Sequence, residues 1–269
     1  MSPLWPNQLF ISLSTQGIAL VYRAGLTKRI LQQRHINLGE QATDWQSSLP
    51  LLEAELIRLT LPANTKVHVT LASDLVRYLT LPPQQTLMNQ AEKLAYAKAA
   101  YRETYGAIAN EWQVRCHDAA PQHHTVAAAI DEPLLDALLQ IANKHQLQLK
   151  TVQPYLMRVF NRLNRQIGKS NALIAIVEPS RLLFIQLKNG FCQQIRNSKI
   201  NGNWQDTLHQ MLSRELLVGE HEGNEVMVYA PAQKNATLNL GSDWQLKRLG
   251  ITTQGISTEP VYAMLEAAL

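Results

Sequence analysis

The chain has only two cysteines in 269 residues, Cys116 and Cys192, far apart in sequence. That excludes a disulfide framework and a zinc ribbon, both of which need more thiols, and it points to a reducing, cytoplasmic compartment. Long hydrophobic runs are missing as well. The longest, residues 172–177 (ALIAIV), falls far short of the ~20 residues that cross a bilayer. The first residues, MSPLWPNQ, lack a basic segment and an apolar stretch, so no signal peptide is expected. Lysine and arginine are scattered, and the net charge is only +4. Without a basic patch interleaved with aromatics, a nucleic-acid partner is not expected. Gly-x-Ser-x-Gly, His-Glu-x-x-His and Walker A patterns are absent too, which removes the commonest hydrolase, zinc-protease and P-loop readings. Hydrophobic residues at 46% and charged residues at 17% nonetheless describe a chain able to bury a core.

What is present is a pattern that occurs twice. Residues 9–14, 17–22 and 28–38 read as three successive strands followed by a helix, and residues 172–177, 182–187 and 191–200 repeat the order. After the first meander Asp44 is a candidate helix cap. Trp45, Leu49, Leu52, Leu56 and Leu59 then recur at helical spacing, and Pro62 ends the run. Val67, Val69 and Leu71 alternate with polar residues, as in a strand with one buried face.

The segment from Leu75 to Gln146 has its own character. It predicts a strand (75–81) stopped by Pro82 and Pro83, then a helix (84–105) with a stripe of Leu87, Ala91, Leu94, Ala97, Tyr101 and Tyr105. A strand pair (112–117 and 124–130) follows, then a helix capped by Asp131 and carrying Leu134, Leu135, Leu138, Leu139 and Ala142. A strand (147–152) and a helix with Leu156, Val159, Phe160, Leu163 and Ile167 on one face lead to a polar break at 168–171. After the second meander come a helix (204–217) striped with Leu208, Leu212 and Leu216, strands at 225–229 and 244–249, and a terminal helix at 260–269 expected to pack back on the first half.

This order of elements resembles the actin-like ATPase superfamily, an α/β fold with two duplicated ribonuclease H-like lobes that binds ATP between them. The β-α-β-β-α insertion narrows the resemblance to PilM-type proteins of type IV pilus assembly and the cytoplasmic domain of GspL in type II secretion. It rests on residues 76–83 (VRYLTLPP) and on the Ala- and Tyr-containing helix 91–101. The resemblance implies a first lobe at 1–168 with an insertion at about 75–146, and a second lobe at 169–269. It also implies a partner groove beside the insertion and a PilN-like or GspM-like inner-membrane partner, with the assembly ATPase and a second copy of the chain as further contacts. With no membrane-spanning run, a free-standing PilM-like protein, peripheral to the inner membrane through its partners, fits better than a complete GspL-like one.

Active members of the superfamily carry an Asp-x-Gly loop after the first strand of each half, where the acid organises a metal and glycine lets backbone N–H groups reach a phosphate. Here the turns read Ser12-Leu-Ser-Thr-Gln-Gly17 and Ala175-Ile-Val-Glu-Pro-Ser180, and the late strand leads into Tyr229-Ala-Pro-Ala-Gln-Lys234 without glycine. The expectation is a degenerate ATPase fold: no catalytic residues, no cofactor, and a scaffolding role. The alternative is an ATP-binding protein whose lobes switch with nucleotide. Glu178 reads as a turn residue rather than a displaced catalytic acid, and Ser14 and Thr15 as ordinary turn formers. Cys116, His117, Asp118, His123 and His124 are the one dense group of metal-ligand types, but with one cysteine and no paired spacing they read as a polar hairpin tip rather than a metal site.

Overall fold

The structure, a computed structural model, describes residues 7–25, 29–39, 44–84, 89–117, 122–218 and 223–269. The first meander forms β1 (Gln8–Leu13), β2 (Gly17–Ala24) and β3 (Arg29–Asn37), followed by α1 (Ser48–Leu59). β4 (Lys66–Leu71) and β8 (Gln148–Pro154) complete a five-stranded sheet in the order β3-β2-β1-β4-β8. The second meander forms β9 (Ala172–Val177), β10 (Arg181–Lys188) and β11 (Phe191–Lys199), followed by α5 (Trp204–Val218). With β12 (Glu225–Tyr229) and β13 (Gln245–Arg248) it builds a sheet of equivalent order, β11-β10-β9-β12-β13. In both sheets the meander is antiparallel and the later strands join in parallel. The duplication expected from the sequence is therefore present strand for strand.

The segment between β4 and β8 contains β5 (Arg77–Leu81), α2 (Gln90–Tyr105), β6 (Trp112–Cys116), β7 (Thr125–Asp131) and α3 (Glu132–Lys144). The three strands make a separate small sheet, β5-β7-β6. Its core is its own: Leu81, Val114, Ala127 and Ala129 on the strands, Ala97 and Tyr101 on α2. α2 starts on a capping box in which the Asn89 side chain accepts from Glu92 N–H at 3.0 Å and Glu92 accepts from Asn89 N–H at 2.8 Å. Ala97 and Tyr101 are the buried members of its predicted stripe. Ala91 and Tyr105 are exposed, because so small a sheet covers only the middle of the helix, and Leu87 lies outside the described residues. α3 turns its apolar face, Leu134, Leu138 and Ala142, to the core of the first sheet. Asp131 does not cap it. Its carboxylate instead accepts from Trp45 Nε1 at 3.1 Å and pairs with Arg77 at 3.4 Å.

Packing ties the two halves together reciprocally. One face of the first sheet (Leu9, Ile11, Val69) buries under α1 and α3. Its other face, at Phe10, Ala19 and Val21, is covered by Tyr262 and Leu265 from the far end of the chain. That segment, Pro260–Leu265, is a 3-10 helix rather than the expected α-helix. One face of the second sheet packs on Trp204, Leu208 and Leu212 of α5. Its other face (Ile174, Ile176, Met227) joins Leu156, Val159 and Leu163 of α4 (Tyr155–Ile167) in a hydrophobic cluster continuous with the first-sheet core. The expected α5 stripe is corrected at one position. Leu216 is 47% exposed, while Glu215 turns inward and pairs with Arg196 of β11.

Candidate functional site

The turns after β1 and β9, where the resemblance would place nucleotide, are tied up by side-chain contacts. In the first turn the Ser14 side chain closes the loop locally, accepting from Gly17 N–H at 3.0 Å. Thr15 points outward, and both its backbone N–H (3.0 Å) and its hydroxyl (2.6 Å) donate to Asp74 Oδ2. Asp74 lies just beyond β4. Ser180, from the second turn, donates to the same oxygen at 3.3 Å. One carboxylate oxygen thus collects donors from both halves of the molecule.

Glu178 makes the complementary contact from the other side. It occupies the turn between β9 and β10 as expected, but it is only 3% exposed and reaches across to Ser73. Ser73 N–H donates to Oε2 at 2.7 Å, and Ser73 Oγ lies 2.5 Å from Oε1. Ser73 Oγ is also 3.3 Å from the buried Tyr78 hydroxyl, and Asn197 Nδ2 donates to the Ser73 carbonyl at 2.6 Å. Burial pushes the Glu178 carboxyl up to about 8, with the Ser73 donors pulling the other way and the neighbouring Asp74 charge adding to the rise. Burial thus favours the neutral carboxyl, while the Ser73 N–H and hydroxyl, both donating to it, favour the ionised one.

A phosphate cradle needs free N–H groups, glycines and a cation. The one glycine in these turns, Gly17, spends its N–H on Ser14 Oγ. The outward donors Thr15 and Ser180 are committed to Asp74, and Pro179 has no N–H to offer. A phosphate entering here would meet two carboxyl groups at close range. The space beside the second turn is short. It is bounded by Val177, Pro179, Trp204 and Pro231, and the 3-10 segment closes it with Pro260, Ala263 and Met264, leaving about 150 Å³, below the ~300 Å³ at which small-molecule pockets begin. A second cavity of about 510 Å³ shares the Pro231 wall and is lined by Tyr229, Lys234, Gly250 and Thr252.

A further concavity lies beside the small sheet. The face of that sheet turned away from α2 carries Gln113, Arg115, Val126, Ala128 and Ile130, and the groove's opposite wall comes from Leu135 of α3, Val152 and Pro154 of β8, and Met157 of α4. The volume is about 440 Å³. The period of two explains the division: Trp112, Val114 and Cys116 face α2, so Gln113, Arg115 and His117 face the groove. β6 is an edge strand. The groove combines an apolar floor, a basic rim of Arg115 and His117, and an unpaired strand edge, which suits an extended peptide.

The metal-type residues do not converge. Cys116 Sγ is 3.9 Å from the Lys93 carbonyl of α2, and His123 stacks on Phe191 with ring centroids 3.5 Å apart. Asp118 lies outside the described residues. Among those described, no three His, Cys, Asp or Glu side chains are placed to hold a metal ion. Sequence reasoning missed Ser73 and Asp74, which form the centre of the contact between the halves. A usable signal was their position directly after the β4 pattern, where a strand end feeds the cleft.

The two equivalent sheets, the elements crossing between them and the inserted sheet match solved structures along almost the whole chain. The PilM–PilN type IV pilus biogenesis complex aligns with a TM-score of 0.63 at 10% identity, covering 97% of both chains. The cytoplasmic domain of EpsL, an inner-membrane component of the type II secretion system of Vibrio cholerae, aligns at 0.60 and 12% identity, covering 97% of this chain and 94% of that one. A Bacteroides thetaiotaomicron protein with an actin-like ATPase fold aligns at 0.54 and 15% identity, covering 82% and 81%. The chain has the actin-like ATPase fold. No family model and no curated protein matches its sequence. The small sheet between β4 and β8 is the insertion that the sequence predicts. No helix among the described residues is long and apolar enough to cross a membrane.

Proposed function

We propose that this protein is a non-catalytic scaffold in assembly of a type IV pilus or a related secretion system, and that it docks on the cytoplasmic tail of an inner-membrane component. In this reading the first lobe spans 1–168, the second 169–269, and the insertion at about 75–146 presents the docking groove. The observation that carries the proposal is the commitment of the cleft's outward donors to Asp74 and Glu178. A protein that bound ATP there would have to break both sets and accept a polyanion beside two carboxyl groups. The continuous hydrophobic cluster between the sheets also works against nucleotide-driven opening of the lobes. The match to a PilM–PilN complex supports a PilN-like partner, and the match to EpsL supports the wider secretion setting. A GspM-like protein, the assembly ATPase and self-association remain within the same proposal, as does a place at the cytoplasmic face of the inner membrane.

The partner segment suited to the groove is short and extended, with small apolar side chains for the Ala128–Val152 floor and an acidic residue for Arg115. Two measurements test the reading. Calorimetry with ATP and magnesium is expected to give no binding heat, and micromolar affinity would establish the ATP-binding alternative instead. Pull-down from membranes is expected to recover a pilus or secretion component with the wild type and to lose it with Ala128→Arg, which blocks the groove from a half-buried position. Equal recovery by the variant would remove the groove from the proposal.

A further inference from the structure

Lysine and arginine are scattered along the sequence, yet the fold gathers six of them on one side of α4. Within that helix Arg158, Arg162 and Arg165 recur at steps of four and three, which makes them one stripe, and Lys169 follows just past the helix end. Tyr155, Leu156, Val159, Leu163 and Ile167 fill the buried side. Met157, the α4 residue of the groove, precedes Arg158 and sits about 100° from it round the helix, so the stripe and the groove lie on different sides.

Two lysines of the first sheet extend the stripe. Arg158 Nη2 is 3.2 Å from Thr151 Oγ1 of β8. Beside Thr151 stands Lys150, the extra residue of a β-bulge: β4 pairs Val67 with Leu149 and His68 with Thr151, which leaves Lys150 without a counterpart. Lys66 begins the neighbouring β4. The convergence is felt at His68, which burial first, and then the charges of Arg158, Arg23, Lys66 and Lys150, push down to about 4. Lys150, Arg162, Arg165 and Lys169 are exposed, while Lys66 and Arg158 are half-buried.

No carboxylate answers these six. α4 contains no Asp or Glu, and among the described residues none of the six forms an ion pair. Arg23 is not counted with them, because it meets an oxygen of Leu269 at 3.2 Å. Lys247 also reaches α4, at the Gln166 carbonyl (2.9 Å), but it lies 3.6 Å from Glu225, and that pair adds no net charge. The whole chain carries +4, so six cations on this face leave −2 for everything else. The helix dipole favours cations at the C-terminal end, which accounts for Arg165 and Lys169. It does not account for Arg158 and Arg162, whose like charges at i,i+4 cost the helix stability.

We propose that this face rests on an anionic membrane surface, with Lys150, Arg162, Arg165 and Lys169 as the contacts and Lys66 and Arg158 adding to their field. From Arg158 to Lys169 the stripe is about 16 Å long at the helical rise. Cations spread over that length suit several loosely placed headgroups rather than one small ligand. A face of one sign on an otherwise negative molecule also orients it toward a charged plane. The contact goes beyond docking on an inner-membrane protein and does not depend on it.

The test is co-sedimentation of the full chain with lipid vesicles that contain no protein, so a failed pull-down of a partner leaves its outcome untouched. Binding is expected to phosphatidylcholine vesicles carrying about 30% phosphatidylglycerol, none to phosphatidylcholine alone, and release as salt rises from about 0.05 M to about 0.5 M. Each contact removed is expected to lower the partition coefficient roughly fivefold, so the exposed triple variant Arg162→Gln/Arg165→Gln/Lys169→Gln should lose about a hundredfold. Lys98→Gln/Lys199→Gln/Arg214→Gln removes the same charge from exposed positions on α2, β11 and α5 and should lose less than about fivefold. Absence of binding to the anionic vesicles at low salt, equal binding to both lipids, or equal losses in the two triple variants overturns the proposal. Binding of poly-glutamate but not of anionic vesicles, abolished in the α4 triple variant, would assign the face to an acidic protein segment and likewise overturn the membrane contact.

Discussion

Replacing Glu178 by glutamine should flatten the pH dependence of stability without loosening the contact between the lobes. In the folded protein burial raises this carboxyl to about 8, above its ordinary value of 4.5. The folded state therefore holds a proton that the unfolded chain has released once the pH passes 4.5. Stability is fully present below the unfolded value and declines as pH rises, until the folded carboxyl ionises near 8. The slope is roughly 1 kcal/mol per pH unit, and the loss across the window is at most a few kcal/mol. Glutamine keeps both contacts, because its carbonyl accepts from Ser73 N–H and its amide donates to Ser73 Oγ, and it carries no charge to desolvate. Urea denaturation of both proteins at pH 5, 6.5 and 8 should give parallel stabilities at pH 5 and a variant that is the more stable at pH 8. Glu178→Ala is the contrasting case: it strands the buried Ser73 N–H and opens a hole, costing about 2–4 kcal/mol relative to Glu178→Gln at every pH. An unchanged slope in Glu178→Gln, or a loss above about 2 kcal/mol at pH 8, would show that the carboxylate works here as a charge and refute the protonated reading.

Leu265→Ala removes a fully buried side chain that covers Phe10 and Val21, and a loss of about 2–5 kcal/mol in urea unfolding is expected. Tyr101→Phe deletes a hydroxyl 2.8 Å from the Arg77 carbonyl and 2.9 Å from that of Ala127, and the small sheet should lose about 1–2 kcal/mol, seen as faster amide exchange in β5 and β7. Gly190→Ala places a Cβ 2.7 Å from the Gly168 carbonyl at φ +79°, so a lowered melting temperature, equivalent to about 1–3 kcal/mol, is expected. Leu217→Lys, at a position 89% exposed, should stay within about 0.5 kcal/mol of wild type in the same melt.

Hydrophobic periodicity carried most of the architecture. β4, β9 and β12 begin and end where alternation or a short apolar run places them, because each sits centrally in its sheet and burial dictates nearly every position. Peripheral elements were less legible. α1 was expected to end at Pro62, yet it stops two residues earlier on Thr60 in a left-handed conformation, a local choice that no apolar spacing records. Residues 260–269 carry helical spacing but tighten into a 3-10 turn as they wedge between two sheets. The cleft was half visible. Missing glycines and acids in the two turns could be read directly, whereas Ser73 and Asp74 become meaningful only when β4 is laid beside β1, which brings residues 59 positions apart into contact. Glu178 was placed in its turn by the sequence, but its reach to Ser73, 105 residues away, depends on the docking of one half against the other.

The covering of Phe10, Ala19 and Val21 by Tyr262 and Leu265 also has a consequence during biosynthesis. Those strands leave the ribosome early, and their cover follows about 240 residues later. At 5–20 residues per second that interval is roughly 12–48 s. Through it the nascent first half presents an apolar strip that Ile30 of β3 covers in part, a surface that the finished chain no longer exposes.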